Sequence, residues 1–225
     1  MTPRRFPAIV FDFDGTLVDS ADDLRTALNR LLAEAGLPPH PIAAVRRMIG
    51  DGVAKLVERG FAAAGRPVAA DELAAQTRHF LAIYEPISAD STRPYPGVPE
   101  TLAALVGAGH RLGLCTNKPE RASRLMLARL GLDRFLSSVV GGDTLPVKKP
   151  DPAPLLAAIA GLGLSPSAAL MVGDNEHDVA TARAAGVPVV AVSWGYSRVP
   201  LAELHADATI DDFAELPAAI ARLAA

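Results

Sequence analysis

Ala8-Ile9-Val10-Phe11-Asp12-Phe13-Asp14-Gly15-Thr16 begins as an apolar run after Pro7 and ends on two carboxylates and a glycine. An unbroken apolar run of this length, without polar alternation, reads as a strand buried on both faces of a parallel sheet. Working outward, the same reading fits residues 112–116, 138–140, 170–173 and 189–193. Helical segments lie between these runs. Asn117 before Lys118-Pro119 reads as a helix cap, and Gly131 follows that helix's end. Asp151-Pro152 makes a similar start, and Gly186 closes the segment 176–185 in a left-handed turn. Strand, helix and strand joined by short loops imply right-handed crossovers. The fold class is therefore α/β, a doubly wound parallel sheet.

One interval breaks the rhythm. Residues 20–93 contain helical patterns at 20–35, 42–48, 53–64 and 71–85 and no convincing strand. Ser20 and Asp23 are spaced for a capping box at the start of the first. This stretch is far longer than an ordinary crossover. It reads as an all-helical cap, residues 20–93, inserted into a core made of residues 1–19 and 94–225. Pro86 and Pro94-Tyr95-Pro96-Gly97 mark the return to the core.

Composition narrows the function classes. Half of the 225 residues are hydrophobic and 21% are charged, which excludes a disordered chain. With 22 Lys and Arg against 25 Asp and Glu, the net charge is -3, a poor basis for non-specific nucleic-acid binding. One cysteine excludes an internal disulfide framework and any multi-cysteine zinc site. No apolar run reaches the ~18 residues of a membrane span. The basic N-terminal stretch, with Arg4 and Arg5, runs into a short apolar segment ended by Asp12, unlike a secretory signal. The expectation is a soluble cytoplasmic protein that binds neither nucleic acid nor membrane.

Four motifs fall at the C-terminal ends of strands or just before helices, where open α/β sheets bind ligands. They are Asp12-Phe13-Asp14-Gly15-Thr16, Thr116-Asn117, Lys148-Lys149-Pro150 and Gly173-Asp174-Asn175-Glu176-His177-Asp178. Asp12 alone could be a loop carboxylate bonded to backbone. With Asp14 two residues on, one pKa should rise, leaving one ionised carboxylate and one proton carrier. Asp174 and Asp178 could cap and charge a helix N-terminus. Together with Asp12 and Asp14 they could instead hold a hard cation such as Mg²⁺ beside a phosphate. Thr116 and Asn117 stand where backbone N–H groups favour an anion, although Asn117 could serve only as a cap. Pro150 restricts Lys149, which could offset the crowded negative charge; Lys148 is the competing choice. His177 reads as a solvated helix residue, and Cys115 and Trp194 as packing residues.

These residues resemble the haloacid dehalogenase superfamily of phosphotransferases. The specific element is Phe11-Asp12-Phe13-Asp14-Gly15-Thr16-Leu17-Val18-Asp19-Ser20, followed in the family's order by Thr116, Lys149-Pro150 and Gly173-Asp174 with Asp178. The resemblance covers nearly the whole chain. Within the superfamily, Ile49-Gly50-Asp51-Gly52-Val53, Gly141-Gly142-Asp143, Lys148-Lys149-Pro150-Asp151-Pro152 and Trp194-Gly195-Tyr196 are most similar to the phosphoglycolate phosphatase family. Asp151-Pro152-Ala153-Pro154 departs from the commoner pattern, in which an acidic residue sits nearer the second proline.

The resemblance implies Asp12 as nucleophile, Asp14 as acid and then base, and Lys149 as charge balance. It implies Mg²⁺ held by Asp12, the main-chain oxygen of Asp14 and Asp174, supported by Asp178. Thr116 and Asn117 would bind the phosphoryl group. The implied reaction is hydrolysis of a small phosphate ester, 2-phosphoglycolate first, through an aspartyl-phosphate. The cap would read the rest of the substrate. Gly50, Asp51 and Gly52 can bring backbone close to a small ligand, or can be an ordinary loop between cap helices. Arg46 could meet a substrate carboxylate, or lie in solvent. Rival readings are a phosphatase for a sugar phosphate or pyrophosphate, a phosphomutase, and a non-catalytic binding protein on the same scaffold.

Overall fold

Strand β1 (Ala8–Phe11) runs through the middle of the sheet, and its side chains divide between two apolar layers. In this computed structural model, which describes residues 6–224, Ile9 and Phe11 enter one layer and Ala8 and Val10 the other. All four are fully buried, which is why the run carries no polar alternation. Arg4 and Arg5 of the basic N-terminal stretch lie outside the described residues.

The chain continues through β2 (Val18–Asp19), α1 (Ala21–Glu34), α2 (Ile42–Arg46), α3 (Val53–Ala63), α4 (Ala70–Ile87) and β3 (Arg93–Pro94). Then come α5 (Val98–Gly107), β4 (Arg111–Cys115), α6 (Glu120–Leu130), β5 (Leu136–Val140), α7 (Ala153–Gly161) and β6 (Ala169–Gly173). The last elements are α8 (Glu176–Ala184), β7 (Val189–Val192), α9 (Leu201–Leu204), β8 (Ala208–Ile210) and α10 (Leu216–Ala224). The main sheet has the order β5-β4-β1-β6-β7-β8, and every neighbouring pair is parallel. From β1 the chain steps out to β4 and β5, then returns to β6 on the opposite side. That reversal opens a crevice at the carboxyl ends of β1, β4 and β6. Helices α7 and α8 cover one face with Leu155, Ile159 and Val179. Helices α5, α6 and α10 cover the other with Leu102, Leu127 and Ile220. The doubly wound α/β fold follows from this arrangement.

Helices α1 to α4 form the long interval between β2 and β3. Their apolar faces meet around Leu24, Leu28 and Leu31 of α1, Val57 and Phe61 of α3, and Phe80 and Tyr84 of α4. The spacing in α1 is the i, i+4, i+7 repeat of an amphipathic helix. A two-residue antiparallel ribbon ties the ends of the interval together, pairing Val18 with Pro94 and Asp19 with Arg93. Among the described residues no helix is long and apolar enough to cross a membrane.

Two caps differ from expectation because other partners take the side chains. The Ser20 hydroxyl donates to Asp14 Oδ1 at 2.6 Å and makes no cap bond. Asp23 accepts from Ser91 N, Thr92 N and Thr92 Oγ1, the strongest contact at 2.6 Å. A buried carboxylate needs such donors, so the capping box does not form. Asn117 likewise does not cap α6, which starts after Pro119. The Asp143 carboxylate accepts from Glu120 N at 2.7 Å instead.

Candidate active site

Asp12 follows β1 at the rim of the sheet and is 5% exposed. Its Oδ1 lies 2.8 Å from Lys149 Nζ, and the same ammonium donates to Asp178 Oδ1 at 2.6 Å. Lys149 sits in the loop between β5 and α7, joined to Pro150 by a cis peptide. Lys148, its rival, donates to the Asp51 main-chain oxygen at 2.6 Å. Asp174 follows β6, and Asp178 lies in the first turn of α8. Asp12, Asp174 and Asp178, all buried, each offer an oxygen within 4.8 Å of the others. Residues more than 160 positions apart in sequence are thus brought to one rim.

Asp178 caps α8 and holds Lys149 at the same time. Its Oδ2 accepts from Asp174 N at 3.0 Å and Asn175 N at 3.2 Å, completing a capping box with Asn175. Its other oxygen holds Lys149. Asp174 is fixed by Asn175 Nδ2 at 2.8 Å and by Tyr196 N at 2.5 Å. Gly15 is needed beside it: the backbone there has φ +90, and a Cβ would stand 2.4 Å from Asp174 Oδ2.

Electrostatics follow from burial with one internal cation. Burial pushes the Asp12 carboxyl up to about 6, with Lys149 pulling it down and the Asp178 charge adding to the rise. Burial, then the charges of Asp178 and Asp12, hold Asp174 well above the usual carboxylate range. Burial opposes the charge on Lys149, but Asp12 and Asp178 outweigh it and keep the ammonium above its ordinary value. The carboxyls raised are thus Asp12 and Asp174, with the charge of Asp178 acting on both. Asp14 is engaged by other partners. It accepts from Ser20 Oγ, and its two oxygens stand 3.2 and 3.1 Å from Lys118 Nζ.

A narrow cavity separates these loops from the helical interval, with about 30 Å³ open to the centres of water-sized molecules. Asp12, Asp14, Thr116, Asn117 and Lys118 form its polar side. Leu24, Ile49, Val53 and Leu56, with Gly50 and Gly52, form the other. The Thr116 oxygen accepts from Lys118 N at 3.3 Å. Asn117 Nδ2 donates to the Gly50 and Lys149 carbonyls at 3.0 and 3.1 Å. Gly52 has φ +86, and a Cβ there would lie 2.9 Å from the Asn117 carbonyl.

Of the four cap candidates, Gly50 and Gly52 line the cavity and Asp51 and Arg46 do not. Arg46 pairs with Asp19 at 2.9 Å and lies over the Tyr196 ring. The Asp51 carboxylate is held by Arg59 at 2.5 Å, Arg198 at 2.6 Å and His177 at 2.5 Å. His177 is therefore part of a clasp between helical interval and sheet, not a solvated residue. Burial alone would raise the Asp51 carboxyl, but Arg198, Arg59 and His177 outweigh it and hold it well below the ordinary value. Cys115 and Trp194 pack as expected: burial pushes the Cys115 thiol up to about 12, and Trp194 lies between Tyr95 and Phe213. Sequence reasoning missed Lys118 as a site residue; its place two residues beyond Thr116, at the same strand end, was the available signal.

Comparison with known proteins agrees with this geometry. Residues 9–192 match the family model described as haloacid dehalogenase-like hydrolase. A phosphoglycolate phosphatase of Rhodospirillum rubrum is 54% identical over 213 residues, covering 93% of this chain and 88% of that one. A phosphoglycolate phosphatase of Caulobacter vibrioides is 46% identical, covering 94% of this chain and 89% of its own. The crystal structure of a predicted phosphoglycolate phosphatase from Haemophilus somnus superposes with a TM-score of 0.89 at 35% identity, covering 96% of this chain and 98% of that one. The chain thus belongs to the haloacid dehalogenase-like hydrolase family, among its phosphoglycolate phosphatase-like members.

Proposed function

We propose that this protein hydrolyses 2-phosphoglycolate to glycolate and inorganic phosphate, with Asp12 as the nucleophile. The observation that carries the reading is the convergence of Asp12, Asp174, Asp178 and Lys149 on one sheet rim, beside a small cavity. The names of the 54% and 46% identical relatives support the substrate.

An Asp12 carboxylate oxygen attacks phosphorus, and the bond from phosphorus to the ester oxygen breaks. Asp14 gives its proton to the departing oxygen, forming glycolate. Water then attacks the aspartyl-phosphate, Asp14 takes a water proton, and phosphate leaves with Asp12 restored. Lys149, fixed between Asp12 and Asp178, keeps the attacking carboxylate in place and offsets its repulsion from the phosphate. The Thr116 hydroxyl donates to a phosphoryl oxygen. The Asn117 side chain is committed to Gly50 and Lys149, so donation from that position falls to its main-chain N–H.

The donor set fits a hard divalent cation: three buried carboxylates meet one buried ammonium, with no sulfur or imidazole among them. Asp12, Asp174 and the Asp14 main-chain oxygen would hold Mg²⁺. Bound there, it supplies positive charge that reduces repulsion between carboxylates and phosphate. Residues 20–93 act as the cap, limiting water at the site and shaping the substrate pocket. Phosphate release from 2-phosphoglycolate, compared by kcat/KM with a panel of small phosphate esters, tests the reading. Absence of release from every ester in the presence of Mg²⁺ overturns it.

A further inference from the structure

Lys118 is the single cation among the residues lining the cavity, and the reaction above gives it no task. It is 4% exposed. Its ammonium stands 3.1 and 3.2 Å from the two Asp14 oxygens and donates to the Tyr84 hydroxyl at 2.7 Å. It also lies 4.6 Å from the centre of the Tyr84 ring, so α4 holds it by hydroxyl and ring face together. The facing wall, Leu24, Ile49, Val53 and Leu56, is apolar. A buried ammonium beside such a wall needs an anion. Asp14 supplies one, but the proposed reaction requires that carboxyl at the leaving oxygen.

We propose that Lys118 is a specificity residue that binds the substrate's carboxylate. The proposal rests on the phosphoglycolate reading and adds which side chain recognises the end of the substrate remote from phosphorus. The distances suit it. In 2-phosphoglycolate one methylene separates the ester oxygen from the carboxyl carbon. A substrate whose ester oxygen meets Asp14 therefore brings its carboxylate within reach of an ammonium about one hydrogen bond from Asp14. Once the carboxylate binds Lys118, it competes with Asp14 for that ammonium, and Asp14 is freed to face the ester oxygen. A neutral group in the same place leaves the ammonium without a second anion and leaves Asp14 held. Tyr84 keeps the ammonium from swinging away in either case. Lys118 thus couples recognition of a small acidic alcohol to placement of the proton donor.

The test compares kcat/KM for 2-phosphoglycolate and for 2-hydroxyethyl phosphate, in which a CH₂OH group replaces the carboxylate. The full chain is used as wild type, Lys118→Met and Lys118→Arg. Wild type is expected to prefer 2-phosphoglycolate. Lys118→Met should shrink that preference by about 10- to 100-fold, the scale of one hydrogen bond between charged groups, with most of the loss in KM. Lys118→Arg should keep part of it. An equal fall for both esters, with the preference intact, would confine Lys118 to holding Asp14 and overturn the proposal. So would a wild type that hydrolyses both esters equally well, although the phosphatase reading would then stand. A wild type inactive on both esters removes the phosphatase reading and this proposal with it. A wild-type measurement covers the case in which the Met variant does not fold. Glycolate should inhibit competitively at least about 10-fold more tightly than neutral glycolamide, and equal inhibition by the two overturns the assignment.

Discussion

Replacing Asp51 by Asn removes one negative charge from the clasp that joins the helical interval to the sheet. The Asp51 side chain is 17% exposed and receives Arg59, Arg198 and His177. A hydrogen bond between charged groups contributes about 1.5–3 kcal/mol net. Arg59 and Arg198 keep 35% and 25% of their side-chain surface in solvent, which weakens each pair. An asparagine also retains part of the bonding. The loss expected for Asp51→Asn is therefore about 2 kcal/mol in all. For a chain of this size that lowers the thermal midpoint by about 4–8 °C.

A cycle with Arg198→Met, followed by calorimetry, isolates the pair. The double variant should lose about 1 kcal/mol less than the two single losses added. The pH dependence has a definite sign. Because the folded carboxyl is held below its ordinary value of 3.8, the stability it contributes is present above that value and is lost as the pH falls below it. The gap between wild type and Asp51→Asn should therefore narrow on acidification below pH 3.8. Additive single and double variants, or a gap that widens in acid, would refute the reasoning.

Three further outcomes are expected. Asp12→Asn should retain a folded circular-dichroism spectrum and lose kcat by a factor on the order of 10⁴ or more; wild-type turnover would end its assignment as nucleophile. EDTA should abolish phosphate release and added Mg²⁺ should restore it, so full activity in chelator would exclude the metal role. Lys149→Met leaves Asp12 and Asp178 buried without their cation and should cost about 3–5 kcal/mol in urea unfolding, whereas an unchanged midpoint would contradict the ion pairing.

The sheet was legible because burial on both faces forces a continuous apolar run, and the five runs at 8–12, 112–116, 138–140, 170–173 and 189–193 each lie in or over an observed strand. The sixth strand, Ala208–Ile210, escaped because it is three residues long, pairs only with β7 and is partly exposed. The ribbon of β2 and β3 is shorter still, too short to carry a period. At the site, strand ends located Asp12, Thr116 and Asp174 without reference to their neighbours. The clasp could not be read the same way. Asp51 meets His177 and Arg198 across 126 and 147 residues, and no local pattern records such a meeting. Asp23 and Asn117 misled for the same reason: each suits a helix start locally, but partners from distant segments claim its side chain.

The β2–β3 ribbon has an architectural consequence. All four helices of the interval hang from one hinge-like stem beside the Asp12–Asp14 turn, where Ser20 already grips Asp14. The 50–52 loop makes a second attachment, where Gly50 accepts from Asn117 and Asp51 meets His177 and Arg198. The interval is therefore moored to the sheet at two places, and a change of shape in that loop is felt at Asn117 beside the reaction centre.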